Sequence, residues 1–162
     1  MNRFEVASGL FLVLVLALMS GCGQKLPTGF PPLHPCLITI IQDGSPLSGA
    51  SVILKPVQVD GMSVGGVTDA KGVAVMMAQG EYPGVPAGNY KVLVAKFTSE
   101  RNPDVSDEEL NSYGTNVPLE LLKKSQIHTY YVSSDFSDPK KTPLEIQIVE
   151  GKNEQTFEVP KP

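Results

Sequence analysis

From Cys36 to the end, the chain consists mostly of short apolar runs, each cut off by glycine, proline, asparagine or aspartate. That pattern limits the fold more than any other feature, because it suits strands joined by turns and leaves little room for long helices. Residues 37–42 are apolar and β-branched, and Asp43-Gly44-Ser45-Pro46 then turns the chain. Residues 50–55 form a second run closed by Pro56, and residues 64–68 form a third. The tetrapeptide Asp69-Ala70-Lys71-Gly72 is a turn in which Asp can bond its own backbone and Gly can take positive φ. Residues 73–78 follow as a strand, and 81–89 as a loop. Residues 90–97 alternate, with Tyr90, Val92 and Val94 on one side and Lys91, Leu93 and Ala95 on the other. Residues 127–132, 144–148 and 156–159 complete the set, with a turn at 151–153. The predicted fold is all-β: an antiparallel sandwich of about seven strands.

One stretch departs from this pattern. Residues 98–126 carry a capping-box sequence, Ser106-Asp107-Glu108-Glu109, followed by polar residues up to Gly114. A second short helix is expected from Pro118 to Lys124, with proline early, where a helix tolerates it. Segment 98–126 therefore reads as a small helical insertion between two strands. Insertions of that length often carry function.

The amino end has another character. Met1-Asn2-Arg3 leads into an apolar run from Gly9 to Met19, then Ser20-Gly21-Cys22. A basic start, a short apolar stretch and small residues before a cut form a secretory signal. The run is shorter than the about 20 residues a permanent membrane helix needs. Cys22 after Ser20-Gly21 resembles the lipobox of bacterial lipoproteins, with Met19 where leucine is usual. The resemblance implies cleavage of residues 1–21 and lipidation of Cys22 by diacylglyceryl and palmitate-type acyl groups. Several acyl chains hold a protein to a bilayer where one holds it weakly. Gly23 in place of aspartate implies an outer-membrane or periplasmic-face location. Residues 22–36, rich in Pro and Gly, read as an extended tether, with His34 a bystander in it. The domain proper is then 37–162.

Three motifs of that domain resemble carboxypeptidase regulatory-like domains. They are Asp43-Gly44-Ser45-Pro46-Leu47-Ser48-Gly49-Ala50-Ser51-Val52, the turn Val67-Thr68-Asp69-Ala70-Lys71-Gly72, and Val85-Pro86-Ala87-Gly88-Asn89-Tyr90-Lys91-Val92. The tail, with Phe136-Ser137-Asp138-Pro139, Thr142-Pro143-Leu144 and Val149-Glu150-Gly151-Lys152-Asn153, is similar to the end of bacterial transthyretin-like lipoproteins. The resemblance implies a prealbumin-like sandwich and brings no activity with it. In carboxypeptidases this domain is an accessory, and the zinc ligands lie in another domain. Val73-Ala74 stands where the family has an aromatic.

Chemistry is sparse. His34 and His128 are the only histidines, and no zinc-binding His-Glu-x-x-His occurs. The hydroxyisourate hydrolases on this fold use several histidines, an arginine and a Tyr-Arg-Gly-Ser-type tail, whereas this chain ends Glu-Val-Pro-Lys-Pro. His128, Ser133, Ser134 and Asp135 suggest a triad only by nearness in sequence. Asp104, Asp107, Glu108 and Glu109 fit no calcium-loop spacing and suit a helix start. Lys123-Lys124 and Lys140-Lys141 read as solubility pairs, and of Tyr130 and Tyr131 one ring is expected in the core. Cys36, beside Leu37 and Ile38, is expected to be buried. A formal charge of −4 argues against nucleic acid. No catalytic residue, metal or cofactor is assigned, and no binding residue is identified. The expected function is a lipid-anchored, non-enzymatic binding or scaffolding module of the cell envelope with a protein or glycan partner. The alternative is a small hydrolase on a transthyretin-like scaffold. The expected contact surface is 98–126 together with the loop 133–142.

Overall fold

The computed structural model describes residues 26–162. The signal segment 1–21 and Cys22 lie outside the described residues. The chain divides into a segment 1–30 and a compact unit 31–162. In the first, the Phe30 amide donates to the Pro27 carbonyl at 3.1 Å and closes a turn.

Among the described residues, fourteen strand segments follow in order. They are β1 (Leu33–His34), β2 (Cys36–Gln42), β3 (Ser45–Pro46), β4 (Ser51–Pro56), β5 (Val64–Val67), β6 (Val73–Val75) and β7 (Met77–Ala78). Then come β8 (Tyr82–Pro83), β9 (Val85–Pro86), β10 (Gly88–Ala95), β11 (Phe97–Arg101), β12 (Gln126–Tyr130), β13 (Glu145–Ile148) and β14 (Asn153–Glu158). Between β11 and β12 lie two helices, α1 (Asp107–Ser112) and α2 (Leu119–Lys124). The first sheet has the order β13-β10-β4-β5-β7-β8, and the second β14-β2-β3, with β6 also on β2. The protein is an all-β sandwich, as expected from the turn spacing.

The core follows from period-two alternation. Every second residue of β2 is buried (Cys36, Ile38, Ile40, Gln42), and β10 buries Tyr90, Val92 and Val94. Val52 and Leu54 from β4 and Val64 from β5 extend the first sheet's inner face. Fully burying such side chains contributes about 1.5–3 kcal/mol each.

The two sheets are joined along both sides. On one side the run 73–78 starts against β2 and, past the buried Met76, moves across to β5. Gly66 permits that crossing, because a Cβ there would lie 2.7 Å from the Val75 carbonyl oxygen. On the other side the turn 149–152 carries the chain from β13 to β14. The buried Asn153 holds this turn: its Nδ2 donates to the Val149 and Gly151 carbonyls at 2.9 and 3.0 Å, and its Oδ1 accepts from the Val149 amide at 3.0 Å.

Two expectations need correction. The antiparallel rule has an exception in β14, which runs parallel to β2. Both strands start at the end where the chain enters, because the 149–152 turn reverses the chain as it changes sheets. The folded unit also starts before residue 37. β1 pairs with β9, and His34 Nδ1 accepts from the Gly151 amide at 3.3 Å, so the end of the expected tether is part of the sandwich.

Two of the resembling motifs meet in space. The buried Thr68 hydroxyl donates to the Leu47 carbonyl at 2.6 Å and accepts from the Ala50 amide at 2.8 Å. This bond clips the turn before β4 to the turn after β5. Gly72, at φ +75°, lies where a Cβ would come within 2.6 Å of the Ile40 carbonyl oxygen.

Candidate interaction surface

The direction of the strands gives the sandwich two distinct ends. β2 and β10 lead away from the end where the chain enters at Pro31, and β4 and β13, antiparallel to β10, lead back to it. The chain leaves β10 at the far end and there forms a two-stranded ribbon, β11 paired antiparallel with β12 from Phe97↔Tyr130 to Arg101↔Gln126. An eight-residue strand such as β10 spans about 26 Å, and that length separates the ribbon from the entry end.

The ribbon differs in kind from the sandwich. All residues of β11 and β12 are exposed. One face brings together Phe97, His128 and Tyr130, whose ring centroids are 5.9 to 6.3 Å apart. Phe97 and Tyr130 are 56% and 57% exposed, an unusual state for large rings. Ser99, Arg101 and Gln126 continue the same face by alternation, and Ser99 Oγ bonds Gln126 Oε1 at 3.0 Å. The opposite face shows Ile127 between Thr98, Glu100 and Thr129.

Local bonds help to hold the tip. Ser106 Oγ accepts from the Glu109 amide at 3.1 Å and caps α1, as its sequence implies. Asn102 donates from Nδ2 to the Lys124 carbonyl and from its amide to the Ser125 carbonyl, both at 2.8 Å, and so ties the end of β11 to the end of α2. Val105 is buried in the loop before α1, and neither helix buries a residue of its own. At the base, Gln42 Nε2 donates to the Tyr131 carbonyl at 2.8 Å, and Lys96 Nζ stands 5.1 Å from the centre of the Tyr131 ring. Beside the base a cavity of about 110 Å³ is lined by Phe97, Tyr130, Val132 and Ser133.

The remaining sequence candidates fall in separate places. His128 belongs to the ring cluster, whereas Asp135 Oδ1 pairs with Lys141 Nζ at 3.0 Å and Ser133 Oγ accepts from the Asp135 amide. The structure thus does not bring His128, Ser133 and Asp135 into one hydrogen-bonded relay. Asp107 pairs with Arg101 at 2.5 Å, and the Asp104 amide donates to Asn102 Oδ1. Among the described residues no group of three or more His, Cys, Asp or Glu side chains converges to hold a metal ion. Lys123 pairs with Glu120 at 2.9 Å. The expectation that one ring of Tyr130 and Tyr131 lies in the core is corrected: both are exposed, and the buried residue is the next one, Val132. Cys36 is buried as expected, and burial pushes its thiol up to about 11. Lys141 is raised, first by its bond to Asp135.

The strand β11 and the Phe97-His128-Tyr130 cluster were not foreseen from the sequence. Alternation of Phe97, Ser99 and Arg101 was the available signal, but polar side chains on both faces conceal a strand until its partner is known.

No family model matches the chain, and no curated protein does either. Among solved structures, the chain is similar to BcpA, the major pilin subunit of Bacillus cereus, at 21% identity and a TM-score of 0.42. That match covers 80% of this chain and 30% of the pilin chain. It is also similar to a 9R-lipoxygenase from Cyanothece PCC8801 at 13% identity and a TM-score of 0.38, covering 93% of this chain and 20% of the other. The chain thus spans less than a third of either protein, and at these levels neither likeness bears on what it does. Among the described residues, no helix is long and apolar enough to cross a membrane.

Proposed function

We propose that this chain is a lipid-anchored binding or scaffolding module of the cell envelope, held to the membrane through acylated Cys22 and without catalysis of its own. The observation that carries this reading is the polarity of the sandwich. The chain enters at one end, and the exposed aromatic ribbon leaves from the other. An anchor upstream of Pro31 is therefore attached at the end of the sandwich opposite the ribbon. The partner surface is the ribbon with its helical tip, offered to an envelope protein or a glycan. Clustered exposed rings with adjacent amide and guanidinium groups suit either, since aromatic and Arg side chains anchor most interfaces.

The resemblance to carboxypeptidase regulatory-like domains belongs to this reading. It is supported by Thr68, Gly72 and Asn153, which hold the turns in which the shared motifs lie. The outer membrane or a periplasmic face is the proposed location.

Mass spectrometry of the protein extracted from membranes tests the anchor. The expected amino-terminal peptide begins at Cys22 and carries acyl groups, and Cys22→Ser releases the protein to the soluble fraction. A peptide beginning at Met1, or a Cys22 peptide without acyl groups, contradicts the reading. A crosslinking pull-down from native membranes, with Cys22→Ser as control, reports the partner.

A further inference from the structure

At the entry end, three exposed valines lie in the turns that follow β4 and β13. Val59 is fully exposed, Val57 61% and Val149 52%. The register fixes where Val57 and Val149 lie. Gly88 of β10 faces Ile148 of β13, Tyr90 faces Pro56 of β4, and the Val57 amide donates to the Asn89 carbonyl at 3.0 Å. Val149 and Val57 thus flank β10 on its two sides, about two strand spacings (roughly 10 Å) apart. Each is held in place. The Gly61 amide donates to the Gln58 carbonyl at 3.3 Å, so Val59 stands at the tip of a closed turn. Gly61 packs so closely that a Cβ would meet Pro56 Cβ at 2.4 Å. Asn153 fixes the turn that bears Val149.

Where the folded unit begins indicates what covers these side chains. Pro31 lines the same 260 Å³ cavity as Pro56, Gln58 and Asp60, so the folded unit starts against the 57–62 turn. Cys22 stands nine positions before Pro31, and a fully extended chain of that length reaches about 30 Å. A lipid on Cys22 therefore keeps the bilayer within that distance of Pro31. Resting on the projection of Cys22 lipidation made above, we propose that Val57, Val59 and Val149 form a foot that touches the lipid surface and sets the domain upright. Asp60 and Glu150 stand among the valines, and Lys152 is paired to Glu154 at 2.5 Å. The foot consequently suits a zwitterionic headgroup layer rather than an anionic one.

The test uses the acylated full-length chain in phosphatidylcholine vesicles, spin-labelled through Val59→Cys, Val149→Cys or, at the opposite end, Leu119→Cys. Cys36 is 2% exposed and stays out of reach of the label. Labels at 59 and 149 are expected to lose access to a water-soluble nickel relaxant and gain access to oxygen on vesicle binding, while the label at 119 keeps its aqueous values. Replacing Val57 and Val149 with aspartate should return the label at 59 to aqueous values. If Cys22 is acylated and the protein floats with the vesicles while all three labels stay aqueous, the foot is wrong and the anchor stands. If Cys22 carries no acyl group, anchor and foot fall together.

Discussion

β10 and β11 are separated by a single residue, Lys96, and obey opposite rules. β10 buries Tyr90, Val92 and Val94 between neighbours on both sides, with β4 and β13. β11 buries none of its residues and has one partner, β12. A two-stranded hairpin alone is marginal in water, so the ribbon depends on its base and tip: Gln42 on the Tyr131 carbonyl, Val132 and Val105 buried, and Asn102 joining β11 to α2. Stability is thus concentrated in the sandwich, while the exposed aromatic rings Phe97, Tyr113, Tyr130 and Tyr131 are concentrated in the ribbon, its tip and its base. Mutations in the two regions should separate folding from binding.

The sharpest contrast comes from the core. Leu54→Ala removes a fully buried side chain and should cost about 2–5 kcal/mol in denaturant unfolding. A cost below about 1 kcal/mol would place the core elsewhere.

Thr68→Val leaves the buried Leu47 carbonyl and Ala50 amide short of a partner and should cost about 1–3 kcal/mol. Urea unfolding of that variant measures how firmly the two motif turns are clipped together.

Two titrations probe the sandwich without altering its packing. Burial raises the Cys36 thiol from 9.0 to about 11, so the unfolded chain ionises first. Its contribution is intact below pH 9 and is lost as pH rises towards 11. Alkaline unfolding curves should steepen over that interval, and Cys36→Ala should remove the excess slope. At the other extreme, the Val73 and Lys71 amides donate to the Asp69 carboxylate at 2.9 and 2.8 Å and hold its pKa below the ordinary 3.8. That support is present above pH 3.8 and is lost as pH falls through the lower folded value. Acid unfolding of Asp69→Ala should therefore show less pH dependence below pH 3.8 than that of the native chain.

The smallest effect on stability is expected in the ribbon. Phe97→Ala and Ile127→Ala lie on exposed strands and should change unfolding free energy by no more than about 0.5 kcal/mol. Losses of several kcal/mol there would mean that the ribbon is part of the cooperative fold.

The sandwich could be read from the sequence because its signals are local. Alternation in 90–95, turn chemistry at 69–72 and glycine at 72 each act over a few residues, and the Ser106 cap was legible for the same reason. Long-range pairing was not legible. Nothing near Asn153 declares that β14 will lie parallel to β2, because that depends on a corner between two sheets. Tyr130 and Tyr131 were misplaced for a related reason. Opposite-facing rings imply a buried side only where a strand has a core beneath it, and β12 has none. The ring cluster joins Phe97 to His128 and Tyr130 across a ribbon whose two strands are separated by the whole insertion.

Photocrosslinking in native envelopes tests the division of labour most directly, with a benzophenone side chain placed at Tyr130 on the ribbon or at Ile53 on the outer face of the first sheet. The ribbon position is predicted to give a discrete high-mass adduct that Phe97→Ala weakens, while the sheet position gives none. Equal adducts from both positions, or an adduct from Ile53 alone, would contradict the ribbon as the partner surface.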